Sequence, residues 1–308
     1  MKYLITVFKD HSYPYLDRVL ADVMMTGTTL VPVTVTGDAE PSEGTVTYGL
    51  LPLEPAIFHE ALSNGNPEHS FILTDCDRGV SLAGSYRIGY CFCDIRPDEG
   101  DAEPDIRLHY DEGNAPRCVI QGFDEIDADF IIKMYERSRH LPWTILKTDR
   151  LILREMTVAD VDRLYEIYEG DGITKYMEPL YEDRAREVEY TKDYIRNMYE
   201  FCGYGLWLVI EKDTCRIVGR AGVTGREGYD DAELGYVIEK DRQGIGYATE
   251  ACSAIIGYAR DVLGMKSLNC FVQPGNDISV RLCERLGFKY NEDVCLNGED
   301  FLRYIRGL

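Results

Sequence analysis

Four absences narrow what this 308-residue chain can be. No apolar run approaches the roughly 18 residues that a membrane-spanning helix needs, so no membrane partner is expected. The stretch Met1 to Asp10 carries a short apolar run without a small-residue cleavage site. It reads as a first strand rather than a secretory leader, and the cytoplasm is the expected compartment. The ten cysteines contain no C-x-x-C, the nearest pair being Cys91-x-Cys93, and His11, His59, His69, His109 and His140 keep no ligand spacing. Scattered core thiols and no metal are expected. Excess basic charge is missing too: 33 Lys and Arg face 54 Asp and Glu, for a net charge of −21. The acidity is shared, −12 through Lys147 and −9 beyond it. A field of that sign repels phosphate backbones, which disfavours nucleic acid. It draws cationic amines, and it serves equally to keep a protein in solution.

What is present starts with Arg242-Gln243-Gly244-Ile245-Gly246-Tyr247-Ala248-Thr249-Glu250-Ala251. Before it, Ala232 to Ile238 alternates and carries aromatic and β-branched residues, as a strand does. After it, Ala248, Ala251, Cys252, Ile255, Ala259, Val262 and Leu263 recur at three- and four-residue steps, the pattern of an amphipathic helix. Two glycines between strand and helix let backbone approach a ligand, and the unpaired N–H groups of the first helical turn favour an anion. The Gly-Lys-Ser/Thr of a nucleotide-binding P-loop is absent. A tight connection between strand and helix is the competing reading.

A second strand, Leu268 to Val272, is broken by Gln273-Pro274-Gly275-Asn276, and a helix begins at Asp277 and stops at Gly287. The spacing Gln243-x-x-Gly246-x-Ala248 resembles the pyrophosphate-binding signature of the GNAT superfamily of N-acetyltransferases. Asn276-x-x-Ser279-x-Arg281-x-x-Glu284-Arg285-Leu286-Gly287-Phe288 resembles the second half of its core. Thr148-Asp149-Arg150-Leu151-Ile152-Leu153-Arg154 with Asp160 resembles the opening of its ribosomal-protein N-terminal acetyltransferase branch.

The resemblance runs from about Thr148 to Leu308 and implies a mixed-sheet acyltransferase domain using acetyl-CoA as co-substrate. It implies that Gln243, Gly244, Ile245, Gly246, Tyr247 and Ala248 hold the pyrophosphate. Free backbone groups of Tyr236, Val237 and Ile238 would bind pantetheine and the acetyl carbonyl, and Asn276 would order the cofactor. Glu233 occupies the place of a water-linked general base, though a solvated strand residue fits as well. Many relatives carry an acidic tyrosine seven residues after the asparagine, where this chain has Cys283. Ser279 matches the serine of the ribosomal-protein branch, and the general acid stays open between the two.

The region from Gly170 to Phe201 should roof the acceptor site. It mixes Tyr176, Tyr181, Tyr190, Tyr194 and Tyr199 with Glu178, Glu182, Asp183, Glu187 and Glu189, which suits a cationic amine and equally suits two ordinary helices. The implied activity is acetyl transfer to a primary amine of a small molecule or peptide, directly within a ternary complex. An acetyl-CoA sensor without turnover and an interaction scaffold are the competing classes.

Upstream, strands and helices alternate from Lys2 onward, which predicts a mostly parallel α/β sheet. An acidic loop from Asp94 to Asp105 interrupts it, and a helix from Ala128 to Arg139 closes it. The boundary falls between Leu141 and Thr148, giving an α/β domain over 1–143 and an acyltransferase domain over 144–308. Thr74-Asp75-Cys76-Asp77-Arg78-Gly79, with Cys118 to Glu125, faintly resembles the closing part of haloacid-dehalogenase-like hydrolases. Their Asp-x-Asp is missing after the first strand, which ends Phe8-Lys9-Asp10. The resemblance therefore implies a non-catalytic relative, with Asp75 a strand-end carboxylate and Asp77 a helix cap. The extra domain offers surface for a homodimer.

Overall fold

Tyr3-Leu4-Ile5-Thr6-Val7-Phe8 has almost no polar face, and a strand of such residues must be covered on both sides. In the computed structural model all six are buried as β1 (Tyr3–Phe8), the centre of a six-stranded sheet. The structure describes residues 1–9, 13–36, 49–52, 55–63, 65–95 and 115–308. These form two compact units, Met1–Leu141 and Pro142–Leu308.

The first unit runs β1, α1 (Leu16–Met25), β2 (Thr29–Thr36), β3 (Gly49–Pro52), α2 (Pro55–Ala61) and β4 (Ser70–Thr74). It continues with α3 (Asp77–Tyr86), β5 (Gly89–Cys93), β6 (Val119–Ile120) and α4 (Ala128–Ser138). The sheet order is β3-β2-β1-β4-β5-β6. Every neighbouring pair is parallel except β2 with β3. Alternation along β1 sends Tyr3, Ile5 and Val7 into a core with α2 and α3, and Leu4 and Phe8 into a second core with α1 and α4. Asp75 follows β4 as a strand-end carboxylate, accepting from the Lys9 N–H at 2.9 Å and from the Tyr13 hydroxyl at 2.6 Å. Asp77 differs from expectation. The residue capping α3 is Cys76, Asp77 lies in the first turn, and no side chain caps that end. Asp10, His11, His109 and the 96–105 part of the acidic loop lie outside the described residues.

The second unit begins with β7 (Thr144–Lys147), β8 (Leu151–Arg154), α5 (Val161–Tyr168) and α6 (Arg184–Tyr194). A π-helical stretch (Ile195–Cys202) leads into β9 (Leu206–Glu211), β10 (Arg216–Thr224) and β11 (Glu233–Ile238). Then come α7 (Tyr247–Asp261), β12 (Ser267–Val272), α8 (Asp277–Arg285), β13 (Lys289–Leu296) and β14 (Glu299–Gly307). The eight-stranded sheet is ordered β13-β14-β12-β11-β10-β9-β8-β7. All its pairs are antiparallel except β11 with β12, which makes it the mixed sheet that the sequence implies. Trp207, Ala221, Cys252, Ile255 and Leu268 are fully buried in its core. Among the described residues no helix is long and apolar enough to cross a membrane.

Candidate active site

The one parallel pairing of the second sheet is also its weakest. Strands β10 and β11 register over six positions, from Gly219↔Ile238 to Thr224↔Glu233. Strands β11 and β12 register at one, Glu233↔Asn269. There the Asn269 N–H donates to the Ala232 carbonyl at 2.8 Å, and Cys270 Sγ reaches the Leu234 carbonyl at 3.6 Å. Further along, the strands part. The Glu239 N–H donates to the Val218 carbonyl at 2.8 Å, which fixes the alternation along β11. Backbone groups of Val237 and Gly235 face β10, and those of Tyr236 and Ile238 face the open side. Of the three residues expected to offer free backbone, Val237 therefore does not.

The loop after β11 closes one end of this opening. Gly244 and Gly246 adopt φ of 78° and 94°, a region that side chains rarely enter. Gly246 caps α7 with no side-chain hydrogen bond, so the N–H groups of Tyr247, Ala248 and Thr249 head a 15-residue helix without intrahelical acceptors. Gln243 Nε2 donates to the Ile238 carbonyl at 2.9 Å and ties the loop back to β11. The Tyr247 side chain is buried, its hydroxyl donating to Glu211 Oε1 at 2.6 Å, so only its backbone faces a ligand.

A brace beneath the loop escaped the sequence reading. Glu250, in the first turn of α7, accepts from the Thr148 hydroxyl at 2.6 Å, the Arg150 N–H at 2.8 Å and Arg150 Nε at 2.7 Å. Arg150 Nη1 then donates to the Ile245 carbonyl at 3.0 Å, and its guanidinium stacks over the Tyr247 ring. Thr148 and Arg150 stood out in the sequence as part of an opening strand; nothing local pointed to a glutamate a hundred residues on.

At the mouth of the opening, the Tyr236 hydroxyl and Ser279 Oγ are hydrogen-bonded at 3.0 Å. Asn276 Oδ1 accepts from the Ser279 N–H at 3.3 Å and caps α8, which fixes the serine in the first turn. Burial pushes the Tyr236 phenol well up, partly offset by its bond to Ser279. Cys283 is buried next to Cys270, so it belongs to the core. Glu233 lies on the opposite face of β11, since it is three residues from Tyr236. Its Oε2 accepts from Arg226 Nε at 2.6 Å. Burial pushes its carboxyl up, against the pull of Arg226.

Of the residues expected to roof the acceptor, several have structural duties. Asp183 caps α6, Glu187 accepts from the Tyr181 N–H, and Glu189 pairs with Lys192. Tyr176 donates to the Gly275 carbonyl at 2.9 Å. Tyr181, Tyr190, Tyr194 and Tyr199 form a chain of ring contacts at 5.7, 6.2 and 5.5 Å, running from exposed to buried. The outer end borders a cavity of about 570 Å³ lined by Glu178, Tyr181, Glu182 and Arg186. Among the described residues no group of three or more His, Cys, Asp or Glu side chains could hold a metal ion.

Comparison with known proteins bears on the same unit. Residues 150–289 match the acetyltransferase (GNAT) domain family. An uncharacterized N-acetyltransferase of Bacillus subtilis (strain 168), YoaA, is 28% identical over 47% of this chain and 82% of its own. The uncharacterized protein YkkB of the same organism is 29% identical over 49% of this chain and 88% of its own. The solved acetyltransferase from Agrobacterium tumefaciens str. C58 is 25% identical, covering 53% of this chain and 95% of its own, with a TM-score of 0.45. The second unit of this chain is an acetyl-CoA-dependent acyltransferase domain, similar to the acetyltransferase (GNAT) domain family over residues 150–289.

Proposed function

We propose that the chain transfers the acetyl group of acetyl-CoA to a primary amine, directly and within a ternary complex. The observation that carries this is the Tyr236–Ser279 hydrogen bond at the mouth of the β11/β12 opening, with the Gln243–Ala248 loop at its other end. The residues fit the co-substrate in three ways. Gly244 and Gly246 give backbone access, and the start of α7 offers N–H groups to the pyrophosphate. Tyr236 and Ile238 present backbone groups to pantetheine and to the acetyl carbonyl. Bound acetyl-CoA supplies an activated thioester.

In this reading the amine nitrogen forms its bond to the acetyl carbon as the carbon–sulfur bond breaks, and one proton leaves nitrogen while one reaches sulfur. Glu233 takes the first, directly or through water. Its burial helps, because a carboxylate deprived of water accepts a proton more readily. Ser279 delivers the second and regains a proton from solvent, with its oxygen held by the hydrogen bond to the Tyr236 hydroxyl. Base and acid on opposite faces of β11 let one group take the proton from nitrogen while the other gives a proton to sulfur, without neutralising each other. Cys283 is set aside as the acid because its thiol is buried against Cys270.

The test is release of CoA thiol from acetyl-CoA across peptides, polyamines, amino sugars and amino acids. Release that depends on one amine class, slowed in Ser279→Ala with acetyl-CoA affinity kept, supports the reading. Saturable acetyl-CoA binding without release to any amine overturns it in favour of a sensor.

A further inference from the structure

Among the described residues, the innermost charge of the tyrosine chain has no ion-pair partner. Arg220, on β10, is 6% exposed and stands among the phenols of Tyr168, Tyr190, Tyr194 and Tyr199. Its guanidinium lies 5.7 Å from the Tyr194 ring centroid. Its Nε has no hydrogen-bond partner, and among the described residues it forms no ion pair. Of the surrounding hydroxyls, Tyr194 accepts from the Leu206 N–H at 2.7 Å and also faces Arg220, and Tyr199 donates to the Leu206 carbonyl at 2.5 Å; a neutral phenol leaves the guanidinium charge unbalanced. A guanidinium cannot shed its proton, so among the described residues a permanent cation is buried without an ion pair, a costly arrangement unless an anion arrives.

Its position bears on the acceptor. Arg220 pairs across the ladder with Val237, and Thr224 pairs with Glu233, so Arg220 and Glu233 share one face of the sheet. That is the face opposite Tyr236, on which the amine approaches in the reading above. Between them lies the Gly222↔Gly235 pair, which raises no side chain from the sheet.

We infer that Arg220 is the docking point for a carboxylate of the acceptor, so that the acceptor class is a molecule carrying both a primary amine and a carboxylate. A planar guanidinium in a dry site holds a carboxylate through charge-assisted hydrogen bonds and rejects a neutral analogue that leaves it unpaired. Phenols around it supply faces for the carbon skeleton. The inference rests on the acetyl-transfer reading.

The experiment measures thiol release from acetyl-CoA with matched acceptors: a free amino acid against its amide, and a short acidic peptide against its neutral counterpart. The acid form should be preferred by about 10- to 100-fold in kcat/KM. The preference should fall to about threefold or less in Arg220→Met and stay partial in Arg220→Lys, with acetyl-CoA affinity unchanged. The two acceptor series distinguish a free amino acid from a peptide as the source of the carboxylate. An amide used as well as its acid overturns the inference, as does a preference that survives in Arg220→Met. If no amine is acetylated, transfer fails as a reading and the same pairs are scored by thermal shift in saturating CoA. Stabilisation by the acid alone, lost without Arg220, then supports carboxylate docking; equal shifts overturn it. Should Arg220→Met fail to fold, Arg220→Lys and the wild-type preference decide.

Discussion

Tyr236 and Ser279 are 43 positions apart, yet their hydroxyl oxygens stand 3.0 Å from one another and join β11 to the first turn of α8. The serine is held by the capping bond of Asn276, and the phenol is held by burial. Two hydroxyls in one hydrogen bond act as a unit, which makes the pair testable together.

Ser279→Ala should lower kcat by about 10²-fold, and Tyr236→Phe by a smaller factor, each with acetyl-CoA affinity nearly kept. The double variant should lose far less than the product of the two, as coupled groups do. Steady-state kinetics on the four proteins checks this. Fully multiplicative losses would mean that the hydroxyls act separately.

Gly246→Asp should weaken acetyl-CoA binding by about 10²-fold or more. The position has φ of 94°, a Cβ there comes within 3.3 Å of Arg150 Nη2, and the new carboxylate faces the anion. Calorimetric titration with acetyl-CoA reads the loss directly.

Glu233 should impose an acidic limb on the pH profile of kcat/KM, because the protonated carboxyl is no base. Burial pushes its carboxyl up and the Arg226 guanidinium pulls it down, so the limb lies above the ordinary carboxylate range. Arg226→Met removes the pull and should move the limb to higher pH, while Glu233→Gln should remove the limb and lower kcat/KM by about 10²-fold. A limb that stays put in Arg226→Met would assign it to another group.

Glu250→Gln should destabilise the second unit by about 1–3 kcal/mol, since it weakens three hydrogen bonds in the brace under the loop. Burial tends to raise the Glu250 carboxyl, but the bonds from Thr148 and Arg150 outweigh it and leave it lowered. A lowered carboxyl contributes stability above its unfolded value and loses it as pH falls through the folded one. Thermal melts between pH 7 and about 3 should thus converge for wild type and variant at the acid end.

Much of this architecture was legible because it is written in local patterns. The change from alternation to helical spacing around Gly244 and Gly246 located the loop, and the Pro274-Gly275-Asn276 break located the start of α8. The continuous apolar run of β1 announced a buried parallel strand. Strand β3 left no such trace: it is four residues long and antiparallel at an edge. The partners of Tyr236, Arg150 and Arg220 were invisible for another reason. Each meets side chains from elements distant in sequence, and no periodicity encodes which phenol or carboxylate will be there. Asp77 shows the limit of cap signals, because a one-residue shift of the helix start made Cys76 the capping residue.

Acetyl transfer to an amine at the β11/β12 opening should be visible as thiol release from acetyl-CoA, followed with a dye in excess over the protein's ten cysteines. Wild type should release thiol only when an amine is present, and release should fall by about 10²-fold in Ser279→Ala. Binding of acetyl-CoA with no release to any amine, or equal release by wild type and Ser279→Ala, would contradict it.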